Sequence, residues 1–437
     1  MVSLKPEQYT VGWIAALPDE ITAALELLDE EHDTPTDWTQ PPRDINKYYF
    51  GRISRLNVIL ACLPLGGIGT NNAAVVATTM ISTFPQVRFG LMVGIGAGVP
   101  ELPNRDIRLG DVVVSKPGDD NGGVVQWDKR KAHGDGTSKS IGTLAKPPMV
   151  LLAAASGLDS KQTRRKTKIA EMVHGINQAI REEENYQYQG PENDKLFDDR
   201  TEREVSRGPA KQDRAKGPRI FFGTIASGNT VVKNGKTRAE IIELVGKDTM
   251  CIEMEAAGLM DSFPCIVIRG ICDYADSHKN DKWQRYAALT AAATAKELLL
   301  DMNAGEVERT KTASDAVENS EAAPPPYQPP VPTKPGLGDS SGQANSDELA
   351  KLMARLDRAE AEIRNQQNLQ GRIKVNEDKI GDLQEQIARL STNKPGNTNN
   401  GNGDLQKRLE RAELELKKLK KRVEQMEADD CSSGGCC

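Results

Sequence analysis

The sequence predicts an α/β domain joined through a low-complexity linker to a C-terminal coiled coil. Short β-branched runs alternate with helical patterns up to about residue 305. A Pro/Gly/Ser-rich stretch follows at 306–346, and heptad spacing appears beyond it.

In order, "YTVGWIAAL" reads as a buried strand and "DEITAALELL" as the helix after it. "LNVILACLPL" is a second strand, and "NNAAVVATTMIS" a helix behind a glycine turn. "FGLMVGIGAGV" and "DVVVS" continue the strands. Between about 117 and 218 the pattern weakens into charged segments such as "SKQTRRKTK" and "RTEREVSRGPAKQDRAKGPR". This reads as a long insertion with helix around "PPMVLLAAASGL" and "KIAEMVHGINQAI". Strand signals return at "RIFFGTIASG" and at Pro264–Ile268, and "RYAALTAAATAKELLLDM" closes the domain as a helix. "EMEAAGLM", from Glu253, reads as a helix start carrying two carboxylates.

The linker "AAPPPYQPPVPTKPGLGDSSGQANSD" cannot bury a core. Segment 347–391 is helical, with Leu349, Leu352, Leu356, Ala359 and Ile363 in 3-4 spacing. A polar break covers 392–404. The coiled coil at 405–427 runs through Leu405, Leu409, Ala412, Leu416, Leu419, Val423 and Met426. With the α/β domain it predicts a homo-oligomer. The tail, 428–437, ends in Cys436 and Cys437 after a Gly-Gly spacer. It resembles the double-cysteine end of Rab-type small GTPases, which implies lipidation and membrane attachment; an unmodified end is the equal alternative.

Hydrophobic residues are 38% and aromatics 4%, too few for one continuous globule of 437 residues, in keeping with the linker and coiled coil. A net charge of −6 gives no electrostatic case for nucleic acid. No apolar run reaches the ~18 residues of a bilayer span, and the N-terminus lacks a signal-peptide pattern. The expected location is cytoplasmic, or the cytosolic face of a membrane if the tail is lipidated. Seven cysteines without a CxxC pair, beside four histidines, suit reduced thiols rather than a zinc site. No metal and no cofactor is expected.

Three glycine-rich turns follow apolar strands: "LPLGGIGTNNAA" (Gly67, Gly69), "MVGIGAGVPE" (Gly94, Gly96, Gly98) and "GTIASGNTVV". Glycine there lets backbone approach a ligand, and three such turns in one domain point to one shared pocket at the strand ends. Glu253, Glu255, Asp273 and Asp276 flank the apolar run 264–268.

The ordered motifs "AALPDEITAA", "GGIGTNNAA", "MVGIGAG", "RLGDVVVS", "IASGNTVV", "EMEAAGL" and "IRGICDYAD" resemble the nucleoside phosphorylase/nucleosidase superfamily. The likeness is greatest to 5′-methylthioadenosine/S-adenosylhomocysteine nucleosidases and a related domain of fungal proteins. It covers Tyr9 to Met302 and implies a three-layer α/β/α domain whose mixed central sheet curls towards a barrel. The resemblance implies a small-molecule purine nucleoside as ligand and cleavage of its N-glycosidic bond. Asp273 falls at the aspartate that binds the purine and helps protonate it. Glu255 falls at the ribose hydroxyls with Met254 under the sugar and Glu253 beside them. Val231, Val232 and Asn229 fall at the base. Asp19 takes the place of the water-activating carboxylate, with Glu20 as its substitute. Met92 and Ile95 stand where the superfamily's phosphorylases keep an arginine and a serine, which favours hydrolysis. Phosphorolysis, or a nucleoside-sensing scaffold without turnover, are the alternatives. Arg269 reads as a structural ion-pair partner, and His278 as a solvated loop residue.

Overall fold

The computed structural model describes residues 2–132, 138–140, 142–179, 186–210 and 214–321. Twelve strands are present: β1 (Val11–Ala15), β2 (Glu30–His32), β3 (Tyr48–Ile53), β4 (Leu56–Cys62), β5 (Phe89–Gly98), β6 (Val112–Ser115), β7 (Val124–Gln126), β8 (Arg130–Ala132), β9 (Ser138–Ser140), β10 (Ile220–Ser227), β11 (Thr249–Glu253) and β12 (Cys265–Asp273). The helices are α1 (Pro18–Glu26), α2 (Thr70–Thr83), α3 (Met149–Thr163), α4 (Ile169–Ala179), α5 (Gly235–Val245), α6 (Gln284–Leu300), α7 (Ala304–Arg309) and α8 (Ala313–Glu321).

The central sheet is mixed and runs β11-β10-β6-β12-β5-β1-β4-β3-β2, with β7 on β10. β11 also pairs with β5, so β5, β12, β6, β10 and β11 close on themselves like a small barrel. β1, β4, β5 and β12 are mutually parallel, and β6 runs against β12. Parallel strands covered on both sides carry unbroken apolar runs, and every residue of β1 and β12 is buried. The Ala-rich α6 lies along β12 and β5 and is covered in turn by α1, α3 and α4. That contact is close because Gly270 of β12 faces the backbone of Ala287, where a Cβ would clash.

Two expectations differ. The segment from Glu253 does not start an α-helix: β11 ends at Glu253, and only a 3-10 turn follows at Ala256–Gly258. The linker does not begin at 306 either. The helices α7 and α8 bury Val307 and Ala313 against the domain, and the Ala313 N–H donates to Val87 O at 2.7 Å.

The insertion contributes β7 to β9, α3, α4 and a strap at 190–199. Arg238 of α5 binds that strap through the Asp199 carboxylate and the Phe197 carbonyl (3.0 Å) while donating to Tyr274 O beyond β12. No helix of the described residues is long and apolar enough to cross a membrane. The coiled coil, polar break and cysteine tail, with Cys436 and Cys437, lie outside the described residues.

Candidate active site

The ends of β1, β5, β11 and β12 surround a concave cleft. Its charged lining is Glu20, Glu253, Glu255 and Asp273 against a single cation, Lys279. Ile68, Ile95, Val231, Val232, Ile252 and Met254 supply apolar walls.

Glu20 sits in the first turn of α1, which begins with Pro18 at a position where a missing N–H costs nothing. Its Oε2 accepts from the N–H of Ala16 (2.7 Å) and Leu17 (2.9 Å), and its Oε1 from that of Ile95 (2.8 Å). The carboxylate thus ties α1 to β5 across Gly94, where a Cβ would fall 2.5 Å from Arg269 Nη1 and closer still to Glu20 Oε1. Burial raises the Glu20 carboxyl above its usual range, opposed by the Arg269 charge and these N–H groups.

Arg269 is wholly buried in β12, paired with Glu253 and, at 3.4 Å, with Glu255. Burial works against its charge, but the surrounding carboxylates outweigh it and hold the guanidinium ionised. Glu253 also accepts from the N–H of Glu255 (3.1 Å) and Ala256 (3.0 Å), which shapes the turn carrying Met254 and Glu255. Glu255 Oε1 accepts from Gly69 N (3.3 Å), a residue at φ 99° that favours glycine. Burial pushes the Glu255 carboxyl up to about 7, with Arg269 pulling down and Glu253 and Glu20 pushing further up.

At the opposite end Asp273 closes β12. Its Oδ1 accepts from Ala275 N (2.8 Å), and Oδ2 from Cys272 Sγ (3.0 Å) and Lys279 Nζ (2.9 Å). Burial opposes the Lys279 charge, and the Asp273 carboxylate outweighs it, so the ammonium is held charged. Burial and the adjacent carboxylate push the Cys272 thiol up, so it stays protonated. Beyond this pair lies a second cavity of about 780 Å³, shared through Cys272, Asp273 and Lys279 and walled by Asn193, Lys195 and Phe197 of the strap. There His278, exposed in the loop after β12 as expected, also stacks on Phe197 with ring centroids 3.5 Å apart.

Of the residues picked from sequence, the cleft brings together Glu20, Glu253, Met254, Glu255, Val231, Val232, Gly96 and Asp273. Val231 stands 45% exposed at the mouth, Val232 is buried. Asp19 is a correction: its side chain is 40% exposed, pairs with Arg285 at 3.4 Å and does not line the cleft. Successive helical residues point about 100° apart, so only one of Asp19 and Glu20 can face inwards. Asn229 is also outside the lining; it accepts from Thr70 N (3.0 Å) and fastens its loop to α2. Gly67 lies in the turn before α2, and Gly98 gives room to Ile271. Met92 is buried in β5, and Ile95 faces the cleft. Lys279 went unnoticed in the sequence; its only signal was a lysine six residues past Asp273 in "DYADSHK".

The Phosphorylase superfamily description matches residues 10–301. The chain belongs to the phosphorylase superfamily. A relative in Hyaloscypha variabilis, a nucleotide-binding leucine-rich repeat (NLR)-like protein, is 48% identical over 305 residues. That match covers 68% of this chain and spans 30% of the relative's length. Among solved structures, futalosine hydrolase of Helicobacter pylori is similar at 19% identity and TM-score 0.44, covering 68% of this chain and 99% of that one. The 5′-methylthioadenosine/S-adenosylhomocysteine nucleosidase of Neisseria meningitidis is similar at 19% identity and TM-score 0.45, covering 66% and 98%.

Proposed function

We propose that the domain hydrolyses the N-glycosidic bond of a purine nucleoside. The observation that carries this reading is the pairing in the cleft: of its four carboxylates, Asp273 already holds Lys279, and Glu253 and Glu255 hold the buried Arg269. A phosphate dianion entering here would find both nearby cations already engaged, Lys279 by Asp273 and Arg269 by Glu253 and Glu255, with hydrophobic Ile95 in place of a hydroxyl ligand. Water needs neither.

Cleavage builds an oxocarbenium-like sugar and negative charge on the departing base, so it needs carboxylates at the sugar and a donor at the base. Glu255 and Met254 cradle the ribose, with Glu255 accepting from its hydroxyls. Glu20, whose carboxyl is raised by burial, takes the proton of the attacking water. A base poised nearer to neutral pH is more effective than an ordinary carboxylate. Asp273 and Lys279 meet the purine, between the walls formed by Val231 and Val232.

The test is release of free base from adenosine, inosine, guanosine and methylthioadenosine, with and without phosphate. Base and the free sugar (ribose, or methylthioribose from methylthioadenosine) forming independently of phosphate support the hydrolase; product that requires phosphate overturns it in favour of a phosphorylase. A second reading, a sensor that binds a nucleoside without turnover, is favoured by the match to part of an NLR-like protein. Binding by calorimetry with no base released would support it.

A further inference from the structure

The second cavity shares Cys272, Asp273 and Lys279 with the cleft, while Glu20 and Glu255 line the cleft alone. It therefore adjoins the cleft at the base end. Part of its wall is the strap, which belongs to the insertion, and part is the loop after β12, where Asp276 lies. Asp276 is 5% exposed, and its carboxylate is only half used. Oδ1 accepts from the His278 N–H (2.9 Å). Oδ2 has no hydrogen bond, and Arg238 Nη1, 4.0 Å from it, donates instead to the Tyr274 carbonyl. Of the buried side-chain polar atoms without a partner among the described residues, it is the one oxygen. A buried acceptor without a donor is costly, and a donor brought by a ligand relieves that cost.

Resting on the hydrolase reading above, we infer that this cavity receives a substituent of the base, and that the substrate class is a purine nucleoside extended at C6 by a short hydroxylated chain. Purine N7 and the exocyclic nitrogen at C6 share one edge of the base. A purine that presents this edge to Asp273 points a C6 substituent past it, into the second cavity. The flexible chain of Lys279 is the part of the boundary that yields. Charge selects the end group. Asp276 Oδ2 calls for a donor, yet Lys195, Lys279 and Lys282 in the same lining disfavour a cation and call for an acceptor. A hydroxyl is both, donating to the carboxylate and accepting from an ammonium. An alkyl end would leave Oδ2 as it is.

The experiment uses the full chain and three ribosides: adenosine, N6-(2-hydroxyethyl)adenosine and N6-propyladenosine. The last two match in length and differ by one hydroxyl. The unaltered protein should cleave the hydroxyethyl compound with a kcat/KM about 10–100-fold above that of the propyl compound, the range for a hydrogen bond to a charged group. Asp276→Ala should bring that ratio close to one, whereas a purely structural role would slow both compounds alike and leave the ratio standing. If the alanine variant fails to fold, as read by thermal melting, the ratio in the unaltered protein decides. Cleavage of adenosine with no preference for the hydroxyl, or of adenosine alone, overturns the inference and leaves the hydrolase intact. A preference that survives in Asp276→Ala overturns it too. If none of the three is cleaved, the hydrolase reading fails. The same ratio is then read from dissociation constants by calorimetry, where equal values or no binding overturn the subsite as well.

Discussion

Replacing Glu255 by Gln should remove most of one pH-dependent component of stability. In the folded chain burial lifts this carboxyl from an ordinary 4.5 to about 7. At about 1.4 kcal/mol per pH unit, that difference corresponds to roughly 3 kcal/mol. Because the folded state holds the proton more tightly than the unfolded chain, the stabilisation is complete below pH 4.5. It is lost progressively as pH rises to about 7, and is level above that. Glutamine keeps the size and polarity of the side chain but cannot titrate. Urea unfolding of both proteins from pH 4.5 to pH 8 reads the effect as the difference between their stability curves. Glu20 titrates in the same direction and interacts with Glu255, so the comparison is repeated in a Glu20→Gln background to remove its contribution. Parallel curves, with no convergence or divergence between pH 4.5 and 7, would refute the assignment of a buried, proton-holding Glu255.

Glu20→Gln should lower base release by about 10²–10⁴-fold, whereas Asp19→Asn should leave it close to that of the unaltered protein; a larger loss in Asp19→Asn would reverse their roles. Gly94→Ala drives a Cβ into the Glu20–Arg269 contact and should cost about 1–3 kcal/mol by overpacking as well as activity, measured by urea unfolding and base release. Arg269→Met leaves Glu253 and Glu255 without their buried partner, with an expected loss of about 3–5 kcal/mol that a second change, Glu253→Gln, should partly restore. Strict additivity of those two changes in urea unfolding would argue that the pair is uncoupled.

The strands were legible because burial on both faces writes itself as continuous apolar runs, as in "FGLMVGIGAGV" and at 264–268. The helices α1, α2 and α6 were legible from their periodicity. The turn after β11 was not: Glu253, Met254 and Glu255 look like the start of a helix, yet the Glu253 carboxylate captures the N–H groups of Glu255 and Ala256 and bends the chain. α7 and α8 were hidden because what holds them is tertiary, the burial of Val307 and Ala313. In the cleft, the strand-borne acids could be picked out by sequence position. The choice between Asp19 and Glu20 depended on the rotation of α1 about its axis, which adjacent acidic letters do not specify. Lys279 was invisible for a related reason: its meaning comes from the turn at Ala275, held at φ 54°, that brings it back over Asp273.

Arg238 has a consequence for the insertion. By holding Asp199 and Phe197 on one side and the Tyr274 carbonyl on the other, it fastens the strap at 190–199 to the loop after β12. Phe197, stacked on His278, adds a second fastening one residue from Lys279. Free energies of this kind are reciprocal. If the cleft takes a nucleoside as proposed, binding there should steady the strap as well, read as slower amide exchange at 193–199. In the other direction, under the proposed function, a protein gripping the strap from outside would change how the cleft holds its ligand, without ever approaching the cleft.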